Sequence, residues 1–354
     1  MTAAHWPRPD PTSHRMLLID PASGRWAHQR IEHLPQLLGP GDVVVVNDAA
    51  TLPASLRTTV DGMELELRLL SWAGAGDWFA VAFGAGDWRQ PTEDRPPPPT
   101  PRLGQPLRIA GMEAQVVALS ELSPRLWKIS FLADESETLG ALYAHGRPVQ
   151  YSYLEADLAI GQVQTPYASR PWAVEMPSAG RPLQSRVIRG LRDAGARVVA
   201  LTHAAGLSST GDPALDAALP MPERYEIRPE VAAAVNAARR VIAVGTSVVR
   251  ALEDSAMRHG RVLAGSAVAE LVLDDDHRPR VVDALFSGMH EPGESHFRLF
   301  RAFADASLLL KANTEAREAG YLAHEFGDNT LILPGAVPAQ PCANSPSETA
   351  ARAG

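Results

Sequence analysis

Apolar and polar positions alternate in different ways along the chain. "VVVVND" (43–48) is an unbroken β-branched run, the pattern of a strand covered on both faces. It follows the turn "GPGD" and ends in Asn47 and Asp48; residues 16–56 read as α/β material. From about 58 to 149 the period shortens to two. "MELELRLL" (63–70), "WFAVAF" (78–83), "AQVVALSEL" and "RLWKISFL" are short strands between Gly- and Pro-rich turns. That spacing predicts a small barrel. "GAGDW" occurs at 74–78 and again at 84–88, but the identity stops at its flanks, so it reads as two similar hairpin turns. "PTEDRPPPPTPRLGQP" (91–106) is a stiff, extended loop.

After residue 150 the helical period returns. "PLQSRVIRGLRDAG" (182–195) puts Leu183, Val187, Ile188 and Leu191 on one face, with Gly195 as its C-cap. Strands are expected at 197–203, 241–246, 281–286 and 329–333, and helices at 229–240 and 247–260. A further helix, capped by Ser295, carries Phe297, Phe300, Phe303, Ala304 and Leu308 along its inner face. The expected fold class is α/β: a barrel-like or mixed α/β domain made of 1–57 and 150–333, with an all-β small barrel inserted at 58–149. Recurrent strand-then-helix order predicts a parallel sheet, closed or open. The Pro-, Ala- and Ser-rich segment 334–354 is expected to be disordered, and Cys342 within it is then no catalytic thiol.

Composition changes this picture little. The 354 residues are 45% hydrophobic and 21% charged, as in an ordinary soluble protein. There is no apolar run long enough for a membrane span and no signal-type core near the N-terminus, so the cytoplasm is the expected location. The single cysteine excludes an internal disulfide framework and a Cys-rich zinc site. Net charge is −8, which disfavours broad electrostatic binding to nucleic acid while leaving room for a local basic patch.

Ligands of parallel α/β folds sit beyond the carboxyl ends of the strands. The expected strands end in Asn47 and Asp48, Thr202 and His203, Thr246 and Ser247, and Ser287 and His290. Each has a plain structural alternative: an Asx turn for Asn47 and Asp48, a helix N-cap for Thr246 and Ser247, a satisfied core histidine for His203 or His290. Their joint occurrence at equivalent positions is what makes a candidate site. Gly245 lets backbone approach a ligand, and the helix that follows offers free N–H groups suited to a carboxylate. No dinucleotide or Walker glycine pattern is present. "HEPGESH" gathers His290, Glu291, Glu294 and His296, but its proline breaks the helical geometry of a zinc motif, so no metal is expected.

The segments "GDVVVVNDAATLPASL", "QTPYA", "MPSAG", "RVIAVGTSVVRALE", "VDALFSGMHEPGES" and "FGDNTLIL" together resemble the S-adenosylmethionine:tRNA ribosyltransferase-isomerase family of queuosine biosynthesis, over about residues 15–333. The resemblance implies a barrel-like α/β domain with an inserted β-barrel. It also implies S-adenosylmethionine (AdoMet) as co-substrate, no metal, and ribosyl transfer to the aminomethyl group of a 7-deazaguanine base in tRNA. Carried over by position, His290 is the expected proton-transfer residue, with His203 second and Asp48 beside them. Asn47, Gly180, Gly245, Thr246, Ser247, Arg250, Asp283 and Asp328 are expected on the AdoMet side, and Tyr167, Glu291 and Glu294 on the acceptor side. The chain also departs from the family pattern. Gly288, Gly293 and Glu294 replace Asn, Lys and Ser; Ala50 and Ser55 replace arginines; Arg181 and Pro182 replace Leu and His; Met221 replaces a further His. Three motif cations are lost, which weakens the expectation of a tRNA partner. It leaves two alternatives beside it: the same AdoMet chemistry on a small-molecule acceptor or with none, and an AdoMet-binding paralogue without catalysis.

Overall fold

The structure is a computed structural model that describes residues 1–74, 76–273 and 277–337. In chain order the principal elements begin with β1 (Arg15–Asp20), β2 (Arg25–Arg30) and β3 (Asp42–Asn47). Then come β4 (Ser55–Val60), β5 (Met63–Gly74), β6 (Asp77–Phe83), β7 (Pro106–Ile109), β8 (Met112–Leu119) and β9 (Leu126–Phe131). Next are α1 (Glu135–His145), α2 (Ser185–Asp193), β10 (Arg197–His203), β11 (Glu223–Ile227), α3 (Pro229–Asn236), β12 (Arg240–Val244) and α4 (Thr246–His259). The described chain closes with β13 (Gly265–Ala269), β14 (Ala284–Gly288), α5 (Ser295–Phe300), α6 (Ala306–Glu318) and β15 (Asn329–Ile332).

Nine of these strands form one sheet in the order β13-β11-β10-β3-β12-β14-β15-β1-β2. The four central strands, β10, β3, β12 and β14, are parallel. β15 and β1 run parallel to each other but antiparallel to that centre, and both margins are antiparallel. The sheet is therefore mixed rather than parallel throughout, and it stays open, its end strands β13 and β2 each paired on one side. Burial of β3 follows from alternation. Val43 and Val45 point into a core shared with Val231, Val248 and Leu252; Val44 and Val46 point into a second core with Leu183, Val187 and Leu191. Each such valine contributes on the order of 2 kcal/mol, and a polar residue on either face would lose it.

Strands β4 to β9 form a separate antiparallel sheet in the order β4-β5-β6-β9-β8-β7 around its own core of Leu67, Phe83, Trp127 and Ile129. It nearly closes as a barrel: across the seam Thr58 Oγ1 on β4 donates to the Arg108 carbonyl on β7 at 3.0 Å.

Three expectations change. The helix beginning at Ser295 ends at Phe300, and a second starts at Ala306 after Asp305, whose carboxylate accepts from the amides of Ser307 and Leu308. The apolar period runs through this break and hides it. α1 lies in the segment read as all-β; Asp134 and Glu137 form its reciprocal capping box. The supposed tail is tied down at its start, with the Gly335 and Val337 amides donating to Asp20 at 2.7 and 3.2 Å. The rest of that segment, with Cys342, lies outside the described residues. Among the described residues no helix is long and apolar enough to cross a membrane.

Candidate active site at the strand ends

Because β10, β3, β12 and β14 are parallel, their carboxyl ends share one edge of the sheet. Asn47 ends β3 and is spent on holding that edge together. Its Oδ1 accepts the amides of His203 (2.9 Å) and Ala49 (3.0 Å), and its Nδ2 donates to the His203 carbonyl (2.9 Å) and Ser247 Oγ (3.3 Å). All four hydrogen-bonding positions of the amide are used. Asp48 accepts from Thr202 Oγ1 at 2.6 Å and Ser169 Oγ at 3.1 Å, with an Arg228 nitrogen 4.0 Å away.

β12 ends at Val244, and Gly245 then turns the chain at φ +90°, a conformation that favours glycine, directly into α4. No side chain caps this N-terminus, so the first turn of α4 presents its amides and the positive end of the helix dipole. Beside it sits the turn Ser178–Gly180, with Ala179 Cβ 3.6 Å from where a Gly245 Cβ would stand. Gly180 has no room for a side chain: a Cβ there would lie 2.0 Å from the Tyr167 hydroxyl. That hydroxyl donates to the Gly180 carbonyl at 3.2 Å, and burial and the Asp48 carboxylate raise its pKa.

Behind the edge lies a buried polar cluster. His203 is fully buried, its Nε2 is 3.6 Å from Glu223 Oε2, and among the described residues neither ring nitrogen has a hydrogen-bond partner. Burial and the Arg250 cation push its pKa well below the ordinary value, so the ring is neutral. Arg250, on α4, pairs with Glu223 and donates to the carbonyls of Leu271 (2.9 Å), Ala269 (3.1 Å) and Met221 (3.3 Å). Burial raises the Glu223 pKa against the pull of Arg250. The Arg250 charge also bears on His296, which burial first and the His290 charge second lower to about 3.

His296 leads to the loop after β14. Its ring stacks on His290 with centroids 4.7 Å apart, and Phe300 meets His290 edge-on at 5.4 Å. His290 Nδ1 lies 3.3 Å from Glu294 Oε2, and its Nε2 lies 3.3 Å from Ser287 Oγ. Burial tends to raise the Glu294 pKa, but His290, His324 and His296 bring it below the usual value, so it is an acceptor. An ionised Glu294 can only accept, so the ring donates its Nδ1–H to Glu294 and turns Nε2 toward Ser287 Oγ. Glu291 is turned away from the ring, paired with Arg317 at 2.7 Å and with the N-terminal amine.

Two expected residues stand apart. Asp283 precedes β14 at the opposite end from Ser287, where its carboxylate accepts the Val241 amide at 2.7 Å. Asp328 is close to the loop, since its carbonyl accepts the Met289 amide at 3.1 Å, but its side chain is fully buried and engaged by Arg8, Arg15 and the Leu322 amide. Arg250 is likewise a brace inside the cluster.

The structure also brings in residues that no motif singled out. Glu175 accepts from the Tyr151 hydroxyl and the Ser208 amide; Glu325 accepts from the Tyr153 hydroxyl at 2.5 Å. Burial raises the pKa of both, that of Glu325 to about 7, and Glu175 adds to the rise at Glu223 and Glu325. Tyr153 stacks on His324 at 4.3 Å. One signal for Glu223 was available: in "ERYEI" it shares the buried face of β11 with Tyr225 and Ile227, and an acid at period two on an apolar face needs a reason to be there. An imidazole held between a carboxylate and a hydroxyl, buried acids kept from ionising freely, and an uncapped helix start suit proton transfer on a ligand carrying both a cation and a carboxylate. Among the described residues no three His, Cys, Asp or Glu side chains gather as a metal site requires.

The family model described as "Queuosine biosynthesis protein" matches residues 1–332. Among curated proteins, the S-adenosylmethionine:tRNA ribosyltransferase-isomerase of Thermus thermophilus is 35% identical over 326 residues, 87% of this chain and 89% of that protein. The protein of the same name from Rubrobacter xylanophilus is 33% identical, covering 91% of each. The crystal structure of S-adenosylmethionine tRNA ribosyltransferase from Thermotoga maritima superposes with a TM-score of 0.50 at 20% identity, covering 94% of this chain and 96% of that one, and shares the fold.

Proposed function

Since this chain belongs to the queuosine biosynthesis family of S-adenosylmethionine:tRNA ribosyltransferase-isomerases, we propose that it transfers and isomerises the ribosyl part of AdoMet onto the aminomethyl nitrogen of a 7-deazaguanine base in tRNA. Epoxyqueuosine is formed, and adenine and methionine are released. The sulfonium acidifies the C5′ protons of AdoMet. His290 Nε2 removes one of them, giving an ylide; its electron pair forms a C4′=C5′ double bond as C4′–O4′ breaks, and the freed oxygen becomes a C1′ aldehyde, expelling adenine, which takes up a proton. The amine adds to C4′ of this vinyl sulfonium and loses a proton, the ylide so regenerated closes on the aldehyde carbon, and the resulting alkoxide displaces methionine from C5′ as the thioether, giving the epoxide.

The observation that carries this reading is the Glu294–His290–Ser287 alignment at the end of β14. The alignment lies at the carboxyl end of β14, the edge at which the parallel strands β3, β10 and β12 also end. Asn47 acts as a positioning residue for His203 and Ser247, and the first turn of α4 receives the methionine carboxylate. His203, neutral and with no hydrogen bond to its ring nitrogens among the described residues, stands second as a proton carrier; Asp48 and Tyr167 line the ribose and acceptor side. In this reading residues 58–149 are an inserted unit, and 1–57 with 150–333 form the catalytic one. The relatives named above all carry the tRNA name, so the small-molecule and non-catalytic alternatives have no support from them.

The test is His290→Gln, followed by calorimetric AdoMet binding and by adenine release with tRNA. Retained binding with release reduced by at least ~10²-fold supports the assignment; unchanged release removes His290 as the base.

A further inference from the structure

A cavity of 410 Å³ opens at the seam of the six-stranded sheet, away from the strand-end site. Its cations come from three neighbouring pieces of chain. Arg57 is on β4 and Arg108 on β7, the two strands that meet at the seam; Arg147 follows α1 and exchanges backbone hydrogen bonds with Ser55 at 2.9 and 3.0 Å. All three side chains are exposed, as is His145 beside them.

Three of the acids nearby, Glu66, Asp87 and Asp157, are already engaged. Glu66 on the cavity wall pairs with the buried Arg68 and Arg95, both at 2.7 Å. Asp87 is held by Arg89 at 2.9 Å and feels Arg57 only as its smallest influence. Asp157 takes Arg89 at 2.9 Å and Arg147 at 3.7 Å. Glu113 stands opposite Arg108 in the β-ladder without pairing with it. Among the described residues neither the Arg57 nor the Arg108 guanidinium has a carboxylate within ion-pair distance. On a chain of net charge −8, two exposed arginines that line one cavity with no carboxylate at ion-pair distance are an exception that general solubility does not require.

We propose that this seam groove holds the phosphodiester backbone of the RNA substrate. The inference rests on the activity proposed above and adds the surface that receives the RNA. Phosphates are recognised by such guanidiniums through charge and forked hydrogen bonds. A chain of contacts links the groove to the buried polar cluster. Glu66 binds Arg68, whose guanidinium lies 5.6 Å from the Tyr151 ring, and the Tyr151 hydroxyl binds Glu175 in the buried cluster.

The experiment is fluorescence anisotropy with labelled tRNA carrying the aminomethyl-deazaguanine base, at several salt concentrations. Arg57→Ala/Arg108→Ala should weaken binding by about tenfold at 0.1 M salt and flatten the slope of log K against log[salt] by roughly 1.4–1.8, the share of two phosphate contacts. Arg57→Lys/Arg108→Lys should restore most of the affinity. Arg186→Ala, which removes an exposed arginine paired with Asp10 elsewhere, should change nothing. Wild-type affinity and slope in the double alanine variant overturn the inference, as does the absence of any tRNA binding by the wild type. If the wild type binds tRNA with the arginine-dependent slope yet releases no adenine, the groove stands and the proposed reaction falls.

Discussion

Asn47 and His203 are locked to each other through both ends of the Asn47 amide: its Oδ1 accepts the His203 N–H and its Nδ2 donates to the His203 carbonyl, each at 2.9 Å. This one side chain sets the spacing of two strand ends and, through Ser247 Oγ, of the start of α4. Asn47→Asp keeps the shape but turns a donor into an acceptor facing a carbonyl and a hydroxyl. The bond to the His203 carbonyl is lost and two acceptors are left facing each other, while the Ser247 hydroxyl can turn to donate to the new oxygen, so the cost is about 1–3 kcal/mol. Thermal unfolding should shift down by several degrees, and adenine release should fall with it. An unshifted melting curve would contradict the bracing role.

Gly180 is required by Tyr167. A Cβ at 180 meets the Tyr167 hydroxyl at 2.0 Å and the next ring atom, Cζ, at 3.1 Å. Gly180→Ala should therefore damage AdoMet binding, and adding Tyr167→Phe should recover part of it, because the closest atom is gone while the ring still crowds. Equal affinities for the single and double variants would show that the clash is relieved some other way.

Arg250 and Glu223 are a buried ion pair inside the cluster. Arg250→Met leaves Glu223 charged without its partner, or forces it to protonate, and should cost about 3–5 kcal/mol in chemical denaturation. The double variant Arg250→Met/Glu223→Leu should be less destabilised than Arg250→Met alone. It also removes the cation that helps hold His203 neutral. Additive losses in the two single variants would argue against their coupling.

The central strands were legible because β-branched runs covered on both faces are hard to mistake; β3, β10 and β12 begin and end within a residue or two of the reading. β11 and β13 were not, since "GSAVA" is short and only half apolar. The sheet's mixed direction was hidden because β15 and β1 come from opposite ends of the chain, and their pairing is a property of the assembled fold. In the site, the strand-end polar residues Asn47, His203, Ser247 and His290 were visible as endings of apolar runs. Glu175 and Glu325 were not: each is an isolated acid whose meaning comes from tyrosines more than twenty residues away. Asp283 and Glu253 show the converse. They sit in specific motifs yet spend their carboxylates on strand and loop amides, with Glu253 accepting from Arg280, Val281 and Val282.

Glu325 makes stability depend on pH. Burial first raises its pKa to about 7, above the unfolded value of 4.5. The folded state thus holds a proton that the unfolded state has lost, so the associated stability is full below pH 4.5 and is lost as pH rises through 7. His296, depressed to about 3 from 6.5, acts oppositely: its share is full above pH 6.5 and is lost as pH falls toward 3. Comparing wild type with Glu325→Gln by urea unfolding, the wild type should lose on the order of 1–3 kcal/mol relative to the variant between pH 5 and 7.5. Parallel pH profiles would mean that Glu325 ionises normally.

The central claim is that an imidazole at the end of β14 starts a ribosyl transfer whose acceptor is tRNA. The direct measurement is release of adenine and methionine from AdoMet by the purified protein, with and without tRNA bearing the aminomethyl-deazaguanine base. The prediction is equimolar release of both, dependent on that tRNA, with the ribosyl-derived mass added to the base. Release that proceeds equally without tRNA, or none with it, would contradict the account.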